Sequence, residues 1–177
     1  TSDVNRAFPS SHTMAIDAAR VGGHVLDVGC GQGYIGAELV KKGCRVTGMD
    51  RYVPARSSAP GSMNFITWDL DRREFPVNVS QYDQIFLLDI VEHLKEPAHF
   101  MDELRFAAAC TRPEIVLTTA NTAFAVTRLI LMGGQVNYGQ NGILDATHTR
   151  PLTFRSLAAL TQPPGSHLLE FRGIPPR

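Results

Sequence analysis

Cysteine is scarce in this chain, neither sign of charge prevails and apolar runs are short. Each shortage removes a class of protein. The three cysteines, Cys30, Cys44 and Cys110, are odd in number and show no Cys-x-x-Cys spacing. That pattern argues against a disulfide framework or a structural zinc site and for reduced thiols in a cytoplasmic protein. Seventeen Lys and Arg residues balance seventeen Asp and Glu without a basic cluster, so extended nucleic-acid binding is not expected. No apolar stretch approaches the roughly 18 residues that cross a bilayer. The N-terminal residues also lack the charged-then-apolar order of a secretory signal. Internal repeats and low-complexity tracts are absent too. What remains, 177 residues of which 44% are hydrophobic, suffices for one sizeable core, and a single domain over 1–177 is expected.

One stretch stands out from this background, the segment HVLDVGCGQGYIG from His24 to Gly36. An apolar run carrying one acid, Asp27, leads into Gly29, Gly31 and Gly33 at alternate positions, after which the apolar spacing becomes helical. A strand that ends in a glycine turn and feeds a helix lets backbone N–H groups approach a nucleotide-like ligand that Cβ atoms would hold off. Two registers compete. Gly31-x-Gly33-x-x-Gly36 fits the dinucleotide fingerprint as a pattern, but it starts two residues after the strand has turned at Gly29. A turn whose glycines serve packing alone is the plainer alternative.

The surrounding sequence alternates strand and helix. Ser10-Ser11 ahead of Met14, Ala15, Ala18 and Ala19 predicts a capped helix, and His24 to Val28 a first strand. Ile35, Leu39 and Val40 form one apolar helical face that stops at Gly43. Strands follow at Cys44 to Met49, ending in Asp50, at Met63 to Thr67, and at Asp83 to Leu88, the last as apolar as a doubly covered strand. Pro54 and Pro60 make 53–61 a loop. Pro97 opens a helix with Phe100, Met101, Leu104 and Ala108 on one side, and Ile115 to Thr118 is a fifth strand. This order means an α/β fold: a Rossmann-like, doubly wound parallel sheet in three layers, α/β/α. Beyond it, Ala123 to Met132 reads as helical, glycine-rich 133–151 as a candidate lid loop, Thr153 as the cap of a helix through Leu160, and His167 to Phe171 as a sixth strand.

Asp50 lies seventeen positions beyond Gly33 at a strand end, where a carboxylate accepts both hydroxyls of a ribose. Dehydrogenases share that position, so it supports an adenosine ligand without choosing the cofactor. With Asp27 two residues before Gly29, and with Trp68-Asp69-Leu70 after the third strand, the chain resembles class I S-adenosylmethionine (SAM)-dependent methyltransferases. The resemblance implies a cofactor site of Asp27, Gly29, Cys30, Gly31, Gly33, Asp50, Arg51, Asp69, Leu70 and Asp89, with S-adenosylhomocysteine (SAH) as product. In it the first acid and the glycines surround the cationic methionine part, Asp50 the ribose, and Asp69 with its apolar neighbour the adenine. Family members usually add a seventh, antiparallel strand. None is recognisable, so a C-terminally truncated chain or a missing edge is expected.

After the fourth strand comes Leu88-Asp89-Ile90-Val91-Glu92-His93-Leu94. The Asp/Asn-Pro-Pro-aromatic motif of methyltransferases acting on base or glutamine amino groups is absent, which favours an oxygen acceptor. The acid-x-x-Glu-His pattern resembles O-methyltransferases of ubiquinone biosynthesis and of small-RNA 3′ ends, where it can ligate a divalent metal. Asp89, Glu92 and His93, with His148 from the candidate lid, are the corresponding metal candidates. Without a metal, His93 and then His148 are candidate general bases, since imidazole suits proton removal near neutrality. The later segment, Asn121 to Tyr138 and Gly142 to Arg150, resembles a bacterial branch related to ubiquinone- and methionine-biosynthesis methyltransferases, and puts Asn121, Tyr138 and Arg150 forward as acceptor-pocket residues. The expected activity is methyl transfer to a hydroxyl of a small-molecule or glycan-like acceptor. A nicotinamide-dependent oxidoreductase and a catalytically inactive SAM-binding module are the rivals.

Overall fold

A computed structural model describes residues 10–53, 63–72, 74–121, 132–133, 150, 152–162 and 167–174. Five parallel strands, β1 (His24–Val28), β2 (Arg45–Asp50), β3 (Asn64–Thr67), β4 (Gln84–Leu88) and β5 (Glu114–Thr118), form one sheet in the order β3-β2-β1-β4-β5. β1 sits at the centre. The chain winds outward from it through β2 and β3, then returns to its other side for β4 and β5. The two directions part between β1 and β4, and in doubly wound sheets the carboxyl ends of the strands at such a switch point are where a ligand crevice forms.

The sheet's two faces are covered by different helices, as strand alternation requires. Val25, Val46 and Phe86 pack with Ala15 and Ile16 of α1 (Ser11–Ala18) and Leu39 of α2 (Tyr34–Lys41). Leu26, Val28, Ile85 and Leu87 point the other way. They meet Phe100, Met101 and Leu104 of α3 (Pro97–Ala108), with Leu160 of α4 (Phe154–Thr161) against the same cluster. Each such buried side chain contributes roughly 1.5–3 kcal/mol of burial, so the layers are held by matched apolar faces. The expected three-layer α/β/α architecture is what forms.

Two local devices place α1. Ser10 Oγ accepts the Thr13 N–H at 3.1 Å while Thr13 Oγ1 accepts the Ser10 N–H at 2.8 Å, a reciprocal cap that starts the helix. At the other end buried Gln84 of β4 donates through Nε2 to the Ala18 carbonyl and accepts the Arg20 N–H through Oε1, at 3.1 and 2.8 Å. The Thr153 cap is reciprocal in the same way, with Ser156. Element ends differ from the expectations by a residue or so. Asp83, for instance, stays outside β4 and accepts the His24 N–H through its carboxylate.

The expected sixth strand does not form. Residues 167–174 have no strand partner among the described residues and are exposed except at Ile174, and Phe171 lies edge-on against Phe154 with ring centroids 4.7 Å apart. Leu168, Leu169 and Phe171 carry β-type side chains, but a strand exists only where a sheet edge offers its hydrogen bonds. The expected loop at 53–61 lies, apart from Val53, outside the described residues. So does the expected helix at 123–132 except Met132, and so does the candidate lid except Gly133 and Arg150.

Candidate cofactor and acceptor site

Past Val28 the chain turns through Gly29, Gly31 and Gly33 with φ of +77°, +52° and +80°. The N–H groups of Gly29 and Cys30 both donate to the Met49 carbonyl, at 2.7 and 3.2 Å, tying the turn to the end of β2. A Cβ at Gly29 would stand 2.6 Å from the Ile90 side chain, so this glycine admits the segment that follows β4. At Gly31 a Cβ would meet nothing within 4 Å. The turn is therefore open there, and only its left-handed backbone calls for glycine. Cys30 is half-buried, and its Sγ packs so closely on Gly48 that a Cβ there would lie 2.7 Å from it. Burial, then the charges of Asp27 and Asp50, push its thiol far above the usual range, which makes it a packing group and not a nucleophile.

Two carboxylates flank the turn under different conditions. Asp50 accepts the Gly31 N–H through Oδ2 and the Tyr52 N–H through Oδ1, both at 2.9 Å, which fixes its plane while each oxygen keeps a further lone pair. Asp27, on the α1 and α2 face of β1, is 2% exposed, and its Oδ2 has no hydrogen-bond partner among the described residues. Burial first, then the charge of Asp50, push it up to about 7, against a smaller pull from His12. An unpartnered buried acid of this kind costs stability unless something cationic meets it.

Beyond β3, the Trp68 N–H donates to the Asp50 carbonyl at 2.9 Å, joining the ends of β2 and β3. Asp69 Oδ2 holds the Arg51 guanidinium at 2.5 Å, and its Oδ1 accepts the Asp71 N–H at 3.2 Å. The Asp71 N–H foremost, and the Arg51 guanidinium after a smaller opposing effect of burial, hold this carboxyl below the usual range. Leu70 and Trp68 lean on the α3-side core, with the Arg72 guanidinium 5.2 Å from the Trp68 ring centroid. An aromatic, an acid and an aliphatic side chain thus line the edge next to Asp50.

At the end of β4, Asp89 has φ of +50°, unusual for any residue but glycine, asparagine and aspartate. Its N–H donates to the Thr118 carbonyl at 3.1 Å, its Oδ1 accepts the Thr118 hydroxyl at 2.8 Å, and its Oδ2 meets Nε2 of His12 at 3.0 Å. Burial works to raise Asp89, but these bonds, with the charges of His12 and His93, outweigh it and hold the carboxyl below the usual range. The same bond from Asp89 raises His12, opposed by burial and helped by the charges of Asp89 and Asp27.

Glu92 is buried, with Oε1 accepting the Ala120 N–H at 3.3 Å and its carbonyl accepting the Arg150 N–H at 3.1 Å, so it stitches the segments after β5 and before α4 to the end of β4. His93 ends the short 3-10 turn Val91–His93 and is half-buried. Among the described residues no three His, Cys, Asp or Glu side chains gather as a metal requires. Asp89 bonds to His12 and Thr118, and Glu92 accepts the Ala120 N–H. Asn121 and Arg150 are exposed, with Arg150 placed by its backbone. Tyr138 and His148 lie outside the described residues.

Two participants escaped the sequence reading. His12 was one more position on a capped helix, and Thr118 only the last residue of a strand. The signal available for His12 was the helix itself, since an α1 that packs over β4 and β5 must bring its N-terminus to their carboxyl ends.

A glycine turn and a carboxylate at the end of β2, set at the switch point of a doubly wound sheet, make an α/β protein whose strand ends suit a nucleotide-like ligand. The profile of the methyltransferase domain family matches residues 2–170, and the chain belongs to that family, with the fold of class I SAM-dependent methyltransferases. A ubiquinone biosynthesis O-methyltransferase of Coxiella burnetii is 26% identical over 162 residues, 86% of this chain and 67% of that protein. A tRNA U34 carboxymethyltransferase of Alcanivorax borkumensis is 32% identical over 108 residues, 55% of this chain and 32% of that one. Among solved structures, YcgJ of Bacillus subtilis shares the fold at a TM-score of 0.61 and 15% identity, over 85% of this chain and 65% of its own. A SAM-dependent methyltransferase from Archaeoglobus fulgidus does so at 0.56 and 17%, over 84% and 62%. The chain spans about a third to two thirds of the curated relatives it matches.

Proposed function

We propose that the chain is a SAM-dependent methyltransferase acting on a hydroxyl of a small-molecule or glycan-like acceptor. The observation that carries the cofactor assignment is the buried, unpartnered Asp27 Oδ2 beside a glycine turn that is open at Gly31. A cationic amino-acid end answers the acid, and an adenosine answers the rest of the edge. A nicotinamide cofactor brings no ammonium or sulfonium to Asp27. When bound, SAM supplies a methyl carbon on a cationic sulfur, open to in-line displacement.

The chain's own residues then have these tasks. Asp27 and the backbone from Gly29 to Gly33 hold the methionine end, and Asp50, already oriented by two N–H donors, accepts the ribose hydroxyls. Asp69 and Leu70 flank the adenine, with Arg51 steadying Asp69. Much of the rate comes from orientation. The oxygen acceptor is favoured by the Asp89-Ile90-Val91 sequence where N-methyltransferases of bases and glutamine carry Pro-Pro, and by the O-methyltransferase relative that aligns over most of the chain. His93 lies beside Asp89 and is the base proposed for the acceptor proton. Asn121, Tyr138 and Arg150 are proposed for the acceptor pocket.

Calorimetric titration with SAH tests the cofactor assignment. Heat of binding and a raised melting temperature are expected, and the absence of both would sink it. Asp50→Ala should weaken SAH by about ten- to a hundredfold, the loss of one or two charge-assisted hydrogen bonds. Unchanged affinity would remove Asp50 from the site.

A further inference from the structure

The methionine end of SAM is a zwitterion, so a site that meets its ammonium with Asp27 still needs a cation for its carboxylate. The glycine turn offers N–H groups, two of which are already given to Met49. His12 stands at the right place. Its Nε2 is bonded to Asp89 at 3.0 Å, and its charge acts on Asp27 as well as on Asp89. An imidazolium has two N–H donors, and among the described residues only Nε2 of His12 has a partner.

We infer that His12 is a cofactor-positioning residue: anchored to Asp89 through Nε2, it offers Nδ1–H to the carboxylate of the cofactor's methionine end. The inference rests on the cofactor reading above. Its geometry is a three-residue chain from β5 to α1, Thr118 to Asp89 to His12, that fixes the ring at the carboxyl end of β4, next to β1 and its glycine turn. Asp89 keeps its unusual backbone and both carboxylate oxygens engaged for this purpose. The groups facing the imidazole are Asp89 from the end of β4 and Asp27 from β1, with Asp50 acting on Asp27 and His93 acting on Asp89. The acids favour the imidazolium, which is the form with two donors.

The test compares two probes, SAH and 5′-methylthioadenosine, which carries the same nucleoside without the amino-acid end. Isothermal titrations of the whole chain, wild type and His12→Gln, are run at pH 6 and pH 8. His12→Gln should lose about tenfold in SAH affinity at pH 6 and nothing toward methylthioadenosine, and the wild-type-to-variant ratio of SAH affinities should shrink from pH 6 to pH 8, a ratio from which the ionisation of Asp27, common to both proteins, cancels. Equal losses for both probes would mean that His12 merely holds α1 in place, and no loss for either would remove it from the site. Both results overturn the inference while wild-type SAH binding leaves the cofactor reading standing. Failure of the wild type to bind SAH overturns both. Unfolding of His12→Gln, followed by far-ultraviolet dichroism, separates misfolding from a binding defect, and His12→Asn with the same selective SAH loss would stand in for it.

Discussion

At the end of β1 an acid is sealed from water with one oxygen unanswered among the described residues, and at the end of β4 an acid is half open with both oxygens bonded. Asp27 lies within an apolar strand, just before a turn that only glycine makes easily. Asp89 is itself the residue in the left-handed region, held there by Thr118. The first arrangement is strained in the absence of a ligand, because burial and the Asp50 charge disfavour its ionised form. The second is satisfied within the chain. One side of the crevice is thus prepared for something that arrives, and the other organises what is already there.

The sharpest break in that comparison comes from the glycines. Gly29→Ala adds a Cβ 2.6 Å from Ile90 at φ of +77°, combining backbone strain with overpacking of the bridge between the two sides. A loss of about 3 kcal/mol is expected, read as a lower urea midpoint at unchanged m-value. Gly31→Ala carries the same kind of strain without a collision and should cost about 1 kcal/mol, yet weaken SAH more than that strain explains. If the two variants were equally unstable, the turn would be packed alike at both positions and the open cradle would be refuted.

Next in size is Asp27→Asn, which removes charge and keeps shape. A carboxyl raised in the folded state contributes stability that is fully present below its unfolded pKa and is lost as pH rises through about 7. The asparagine variant should therefore match wild type near pH 4 and be more stable by on the order of 2–3 kcal/mol at pH 8, while losing SAH affinity. Chemical denaturation at the two pH values decides it. A variant less stable at pH 8 would show that Asp27 is already paired.

The sequence revealed the first side of the crevice and not the second, for a physical reason. Asp27, Gly29, Gly31, Gly33 and Asp50 fall within one strand-turn-helix-strand unit, where spacing along the chain is spacing in the structure. The five strands and their doubly wound sheet were legible for the same reason, and the unbroken apolar run at β4 announced a strand covered on both faces, as Phe86 and Leu87 are. His12 and Asp89 are 77 residues apart and meet because α1 packs on β4 and β5, with Gln84 holding its other end. Glu92 reads as a ligand beside His93, and its bond to the Ala120 N–H, 28 residues on, leaves no trace in local spacing. The sequence at 168–171 has strand character, and nothing in local pattern tells that these residues stay out of the sheet.

The smallest effect is expected from Asp89→Asn, and it sharpens the comparison because its sign is opposite to that of Asp27→Asn. Asparagine tolerates the φ of +50°, and its carbonyl can still accept the Thr118 hydroxyl, so the substitution isolates the charge. Asp89 is lowered in the folded state, so its contribution is present above the unfolded pKa and fades as pH falls through the folded one. His12 is raised, so its contribution is present below 6.5 and fades as pH rises through its folded value. Both hold between roughly pH 4 and pH 6.5. There the variant should be less stable than wild type by about 1 kcal/mol or less, given how exposed both side chains are, and the gap should narrow toward pH 9. Melting temperatures across that range measure it. A variant more stable than wild type at pH 6 would mean that Asp89, like Asp27, is an acid waiting for a partner, and the two sides of the crevice would no longer differ in kind.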